Sequence, residues 1–300
     1  MKYFKTMEDY LNVISVCKKF QDSLLKFHFN PIPITSKTKR LFPKIETQYM
    51  YNKEDLKLPK VAYIVDYISY TYKETLVDLP YQKVVYKNAV FSNRDMEMYK
   101  KTHPTSLEHY YIKHFKLPKS VSGIGQNALI EETKIVDMKF HDSLKFVGQQ
   151  AFEGLSNLQT LTLPNSVTSL GEFLCYNCVN LKIVKLPLYL QVIPSSCFGL
   201  CSSLETIEIP DFVTEIGRCA FFSCRSLATI GVPKSVVCVG EFAFMNCNTL
   251  NELRFSKKLN FVGKGVFLKC SSLVRLKMPK ERILSCLQIP DNCVVDTMYN

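Results

Sequence analysis

The stretch CSSLETIEIPDFVTEIGRCAFFSCRSLATIG, residues 201–231, repeats its own pattern along most of the second half of the chain. Pro210 serves here as the reference position of that pattern. Equivalent positions follow at steps of 23 residues, namely Pro118, His141, Pro164, Pro187, Pro210, Pro233, Ser256 and Pro279. Because every step has the same length, no insertion interrupts the array.

Four further columns of the pattern share this step. Glycine recurs seven residues after the reference position, as at Gly217 and Gly240, with Pro194 as an exception. Leucine recurs seventeen residues after it, as at Leu204 and Leu227. Phenylalanine and cysteine recur eleven and fourteen residues after it, at Phe198, Phe221, Phe244 and Phe267 and at Cys178, Cys201, Cys224, Cys247, Cys270 and Cys293. Self-similarity at this period, with leucine in fixed columns, is typical of a leucine-rich-repeat solenoid.

The repeat predicts how one coil is built. Residues 204–210, LETIEIP, alternate as a strand does, so Ile207 points inward while Thr206 and Glu208 point outward. One coil cannot bury its own apolar side chains, and stacked coils bury them in a continuous core. The predicted fold is therefore a solenoid with a parallel β-sheet on the concave side. Short strands and helical or 3₁₀ turns, the latter beginning near Phe221, are expected on the convex side.

The phrases L-x-x-I-x-L-P, S-V-T-x-I-G and A-F-x-x-C recur in residues 158–171, 204–224 and 227–247. This repeat resembles the BspA-like leucine-rich-repeat family, the treponemal type of repeat, over residues 117 to about 279. Leucine-rich-repeat proteins as a class often hold signalling enzymes such as phosphatases, so the resemblance implies a protein-binding role.

The chain is expected to have four segments. Residues 1–44 are predicted to form a helical cap, because apolar residues recur at helical spacing over residues 7–27. Within them VCKKF, residues 16–20, weakly resembles the late part of an F-box. Residues 45–116 are interpreted as degenerate tyrosine-rich repeats, with strands near residues 45–51 and 83–91 and a polar connection over 94–116. Regular repeats fill residues 117–279, and residues 280–300 form a second cap.

Charge and cysteine content bear on the cellular setting. The formal net charge is +11, and neither a membrane-spanning run nor a secretory signal is visible in the sequence. We therefore expect a protein of the cytoplasm, with the nucleus as an additional location. The cysteine column at Cys178, Cys201, Cys224, Cys247 and Cys270 is interpreted as a buried structural ladder, favoured over a zinc site or disulfides because the repeat sets its spacing.

The outward strand positions are expected to bind a partner. The candidate residues on the concave face are Lys139, Lys185, Glu208, Arg254, Arg275 and Lys277. Since the C-terminal end of this face is basic, a partner protein with an acidic surface is predicted. Nucleic acid is disfavoured, because the positive charge forms no single stripe.

No catalytic motif, metal motif or cofactor-binding loop is present in the sequence. The prediction is a non-enzymatic scaffold or regulatory subunit without a cofactor. The alternative is an F-box-like adaptor of a ubiquitin ligase, with the repeats selecting the substrate.

Overall fold

The computed structural model describes residues 33–36, 47–50, 55, 58, 63–71, 83–102, 113–279 and 288–298. The chain divides into two compact units, Met1–Val90 and Phe91–Asn300. The predicted N-terminal helix and the F-box-like segment lie outside the described residues. The predicted segment boundaries after residues 44, 116 and 279 stay predictions.

The first unit contains three parallel strands that pair in chain order, β1 (Thr47–Met50), β2 (Tyr63–Thr71) and β3 (Lys83–Phe91), the last of which ends at Phe91 of the second unit. Thr47 pairs with Tyr63, and Tyr63 pairs with Lys83, so these steps are shorter than 23 residues. The strands near residues 47–50 and 83–91 agree with the sequence pattern, whereas β2 was missed.

The second unit begins with a helix where a polar connection was expected. Helix α1 (Asn93–Thr102) is capped by the preceding residue, Ser92. The Ser92 amide and hydroxyl both donate to the Asp95 carboxylate, at 2.8 and 2.6 Å. A serine followed three residues later by an acidic residue is a helix-start signal. Met96 and Tyr99 are buried, and the Tyr99 ring lies 5.1 Å from Phe115. The helix therefore covers apolar surface at the start of the solenoid.

The described residues after this helix contain two rows of parallel strands, joined by turns. Residues in neighbouring coils pair at the 23-residue step, as in Ile183 with Thr206 and Thr206 with Thr229. The first row consists of β4 (His114–Lys116), β6 (Asp137–Lys139), β8 (Thr160–Thr162), β10 (Ile183–Lys185), β12 (Thr206–Glu208), β14 (Thr229–Gly231), β16 (Glu252–Arg254), β18 (Arg275–Pro279) and β19 (Val294–Met298). The second row consists of β5 (Gly123–Ile124), β7 (Phe146–Val147), β9 (Ser169–Leu170), β11 (Val192–Ile193), β13 (Glu215–Ile216), β15 (Cys238–Val239) and β17 (Phe261–Val262). The predicted parallel solenoid is confirmed.

The inward columns form continuous ladders in the core. The rings of Phe198, Phe221, Phe244 and Phe267 are fully buried and stack nearly parallel, with centroids 5.7, 5.4 and 6.2 Å apart. The leucines of the column that contains Leu204 and Leu227 are also fully buried. Each side chain contacts its own equivalent in the next coil, so the core is continuous from coil to coil.

The segment that carries the phenylalanines is a series of turns, not the expected helical or 3₁₀ turn. Within one coil, Phe222 N donates to Cys219 O at 3.0 Å, whereas Phe221 N donates to Ala243 O of the next coil at 2.8 Å. Alternate amides thus point along the solenoid axis. The backbone allows this because two positions per coil have positive φ, as at Cys219 (52°) and Ser223 (57°). A helix would keep all these amides within its own coil.

The glycine column marks where coils approach most closely. A Cβ built on Gly217 would lie 2.6 Å from the backbone nitrogen of Ser195, so no larger side chain fits. Gly217 N also donates to Ile193 O of the preceding coil at 2.8 Å. Pro194 occupies this column one coil earlier and has no amide hydrogen to donate. This explains why the second row is interrupted between β9 and β11.

The last coil is shorter than the others. Arg275 pairs with Val294, a step of 19 residues instead of 23. The assignment of Cys293 to the cysteine column is therefore wrong. Cys293 is partly exposed and adjoins the strand that pairs with β18, while the other cysteines of the column are buried.

The buried cysteines have a role beyond filling space. Each thiol of the cysteine column donates to a backbone carbonyl of the preceding coil, as Cys224 Sγ does to Phe198 O at 3.1 Å and Cys247 Sγ to Phe221 O at 3.1 Å. The same bond recurs at Cys178, Cys201 and Cys270. Burial raises the pKa of the Cys224 and Cys247 thiols far above the ordinary range, and that of Cys270 to about 11. The Cys224, Cys247 and Cys270 thiols are therefore protonated donors in the folded chain.

The phenylalanine ladder gives a first prediction. Replacing Phe221 by alanine removes a buried ring between two stacked neighbours and should lower the free energy of unfolding by about 3–5 kcal/mol. Phe261→Ala is the control, because the Phe261 side chain is 53% exposed and its loss should cost less than about 0.5 kcal/mol. Urea unfolding measures both, and equal effects would contradict the assignment of the inward column.

The cysteine ladder gives a second prediction. A thiol ionises near pH 8.5 in the unfolded chain but stays protonated in the folded one, so its contribution to stability is present at neutral pH and is lost as pH rises above about 8.5. Cys224→Ala removes one such thiol. Above about pH 9 the free energy of unfolding of this variant should therefore fall less steeply than that of the wild type, and the two slopes should differ by about 1.4 kcal/mol per pH unit.

Urea unfolding between about pH 8 and pH 10.5 tests this second prediction. Cys224→Ser is the control, because serine does not ionise in this range but keeps a hydroxyl donor. In both variants the free energy of unfolding should fall with the same slope against pH, while its absolute value should differ between them. A slope in either variant equal to that of the wild type would contradict the prediction.

Candidate functional site

The candidate site is the outer surface of the first row of strands. In β8, β10, β12, β14 and β16 the middle residue is buried and the third is exposed, as for Ile207 between Thr206 and Glu208. We call the outward first and third positions of β8, β10, β12, β14, β16, β18 and β19 the strand face. The first positions are Thr160, Ile183, Thr206, Thr229, Glu252, Arg275 and Val294, and the third positions are Thr162, Lys185, Glu208, Gly231, Arg254, Lys277 and Asp296.

The structure brings five of the six predicted partner-binding residues onto one sheet. Lys185, Glu208, Arg254, Arg275 and Lys277 all lie on the strand face and are exposed. Lys139 is exposed too, but its strand β6 pairs with β4 in a separate two-stranded sheet. Whether any of these residues binds a partner stays a prediction.

The basic end of the strand face is less positive than its sequence suggests. Arg254 Nε lies 2.6 Å from the Glu252 carboxylate on the same strand. Asp296 is the strand neighbour of Lys277, because the shortened last coil places β19 beside β18. Two carboxylates thus accompany three cations at this end. The 23-residue pattern could not have identified Asp296, since the last step departs from that pattern.

An open groove of about 710 Å³ lies in the middle of the strand face. Its lining includes Ile183, Leu188, Glu208, Asp211 and Gly231. A Cβ built on Gly231 would meet no atom within 4 Å, so the missing side chain leaves free space here. A groove with apolar walls and a few carboxylates suits a protruding side chain of a partner.

Within the described ranges, no three His, Cys, Asp or Glu side chains lie close enough together to hold a metal ion. In the same part of the chain, no helix has both the length and the apolar character needed to span a bilayer.

Comparison with solved structures finds bacterial leucine-rich-repeat proteins. A leucine-rich repeat protein from Bacteroides ovatus is 21% identical, with 61% of this chain and 62% of that chain covered and a TM-score of 0.44. The leucine-rich repeat protein of T. pallidum is 22% identical, covering 61% of this chain and 68% of that one with a TM-score of 0.35. The pneumococcal vaccine antigen PcpA is 16% identical, with coverage of 84% and 77% and a TM-score of 0.35. The matched region thus spans less than two thirds of the Bacteroides ovatus protein.

Comparison with curated proteins gives no match. The family model described as the BspA type leucine rich repeat region matches residues 100–224 and 191–297, with six copies of the repeat. These two matches together cover most of the chain. They include every strand from β4 to β18, so the family's repeat and the observed coils coincide. The chain belongs to the BspA-type leucine-rich-repeat family.

Proposed function

We propose that this protein is a non-enzymatic scaffold that binds a partner protein on its strand face. The observation that carries the proposal is the contrast between the two sides of each strand. Inward positions repeat and are buried, as Val184, Ile207 and Ile230 are. Outward positions are exposed and change from coil to coil, from Lys185 to Glu208. Packing leaves these outward residues unconstrained, so they are available for recognition.

The core offers little chemistry of its own. The buried thiols are held as hydrogen-bond donors, and burial raises the pKa of Cys201 and Cys247 well above the range in which a thiol is a nucleophile. The same thiol donors require reduced cysteines, which supports a reducing compartment such as the cytoplasm or the nucleus.

The partner that this face suits presents carboxylates to Arg275 and Lys277. Both side chains are exposed, and no ion pair to either is found among the described residues. Glu252 and Asp296 lie beside them, so the complementary surface has separated acidic groups and not one dense cluster. A signalling enzyme, such as a phosphatase regulated by the scaffold, is one class of partner that fits this role.

Affinity capture with the full chain as bait tests the proposal. The variant Arg254→Glu, Arg275→Glu, Lys277→Glu reverses three charges on the strand face, and a discrete partner identified by mass spectrometry should bind it at least about tenfold more weakly. The matched control Lys145→Glu, Lys264→Glu, Lys269→Glu makes the same change in net charge at exposed positions off this face.

The control variant should retain the partner. Equal loss in both triple variants would indicate a general effect of charge. Equal retention would place the interface elsewhere. Either result, or the absence of any discrete partner at physiological salt, would contradict the proposed function.

A further inference from the structure

Two adjacent coils depart from the repeat at an exposed corner. The second residue after the reference position is serine in four coils, and the hydroxyls of two of these serines donate to the preceding coil, Ser166 to Leu144 O at 2.7 Å and Ser235 to Val213 O at 2.6 Å. In the two coils between them this residue is Tyr189 and Phe212. These coils exchange a hydrogen bond for an exposed aromatic ring, which the fold does not require.

The two aromatic rings belong to a larger apolar cluster. Tyr189 is 60% and Phe212 57% exposed, and their ring centroids lie 5.6 Å apart. Leu188 and Ile183 are also more than half exposed. Leu188 stands where other coils have a charged or amide residue, namely Lys119, Asp142, Asn165, Asp211, Lys234 and Lys257. A contiguous exposed apolar cluster on a protein surface marks an interaction site.

The next two coils present positive charge along the same corner. Lys234, Lys257 and Lys258 are exposed, and no carboxylate lies within ion-pair distance of them among the described residues. We call Leu188, Tyr189, Phe212, Lys234, Lys257 and Lys258 the corner ridge. It has an apolar half and a basic half, and Ile183 and Leu188 connect the apolar half to the groove of the strand face.

We infer that the corner ridge binds an extended acidic segment of a partner protein with a large apolar side chain at one end. This inference rests on the proposed scaffold function and names the partner's chemistry. The apolar side chain packs against Tyr189 and Phe212, and the acidic residues pair with the three lysines. Coils are about 4.8 Å apart and an extended chain advances about 3.3 Å per residue, so the apolar and acidic residues are about two to four positions apart.

The charges near the apolar half favour a peptide over a nucleic acid. Two carboxylates, Glu208 and Asp211, and one cation, Lys185, line the groove beside Leu188, so its charged groups are on balance acidic. A nucleic acid has a phosphate at every nucleotide, so bases stacked on Tyr189 and Phe212 would place phosphates near these carboxylates. A peptide can have acidic residues only at the positions that contact the three lysines and none near the two carboxylates.

Selection of a displayed library of random peptides on the full wild-type chain tests the inference. Two ridge variants follow, Tyr189→Ser with Phe212→Ser, and Lys234→Asn with Lys257→Asn and Lys258→Ser. Every new residue occurs at the same position in another coil, as Asn165, Ser166 and Ser235 show, so both variants should fold. Unchanged or raised thermal unfolding temperatures check this.

Enriched peptides should contain a large apolar residue followed or preceded by acidic residues at the stated spacing. Their affinity should fall at least about tenfold in the serine variant and severalfold in the asparagine variant, with a steeper dependence on salt for the wild type. The strand-face variant Arg254→Glu, Arg275→Glu, Lys277→Glu should weaken them less than either ridge variant does.

Three results would overturn the assignment of the ridge. These are the lack of any enriched peptide, equal binding to wild type and both ridge variants, and tight binding of a single-stranded oligonucleotide at physiological salt that both ridge variants lose. If only the strand-face variant failed to bind the peptides, the corner ridge would not be the binding site, and the proposed function of the strand face would be supported. If a natural partner bound the strand-face variant but not the ridge variants, the corner ridge would be supported as the binding site and the strand face would be contradicted.

Discussion

The constant distance between neighbouring coils is the constraint on which the structure depends. Backbone hydrogen bonds join neighbouring coils along both rows of strands, except between β9 and β11 and between β6 and β8, and through the turn segment, as Gly217 N to Ile193 O and Phe221 N to Ala243 O do. The Gly217 backbone approaches the preceding coil so closely that a Cβ has no room. At this spacing an inward side chain stacks on its own equivalent, as Phe221 does on Phe198 and Phe244, which explains why one residue type predominates in a column.

Much of this fold could be predicted from the sequence because the constraint acts at a fixed step. The ladder that contains Phe221 and the strand that contains Ile207 follow from columns that recur every 23 residues, whereas the close approach of the backbone at Gly217 is seen only in the structure. The turn segment could not be predicted. Its positive φ angles fall on chemically different residues, such as Phe173, Leu200 and Cys219, so no column of glycine reveals them.

The 23-residue pattern also failed to predict the elements that do not follow it. Helix α1 is marked by one local signal, Ser92 with Asp95, and not by a recurring pattern. The last coil is four residues shorter than the rest, so the pattern placed Cys293 in the wrong column and left Asp296 off the strand face. Five of the six predicted face residues, such as Glu208 and Arg254, lie on one sheet, whereas Lys139 lies on another. Their role in binding cannot be read from the period, because function depends on how outward residues differ between coils.

Stability and recognition depend on different positions of the repeat in this chain. Columns that repeat, such as the one that contains Cys224, serve the contact between coils. Positions that break the repeat without a structural reason, such as Tyr189 and Phe212, serve something outside the fold. Pro194 is a departure of another kind, since it alters the hydrogen bonding between two coils of the second row.

Removal of one complete coil shows whether the fold depends on the 23-residue step. Deletion of residues 204–226 takes out one 23-residue step and joins Ser203 to Leu227, which is the equivalent of Leu204 in the next coil. The account predicts that this shortened chain unfolds cooperatively in urea, with a lower m-value because less surface is exposed. A deletion of residues 204–223 removes three residues fewer and puts every following column out of register, so that chain should not fold. Equal behaviour of the two deletions would contradict a fold that depends on the 23-residue step.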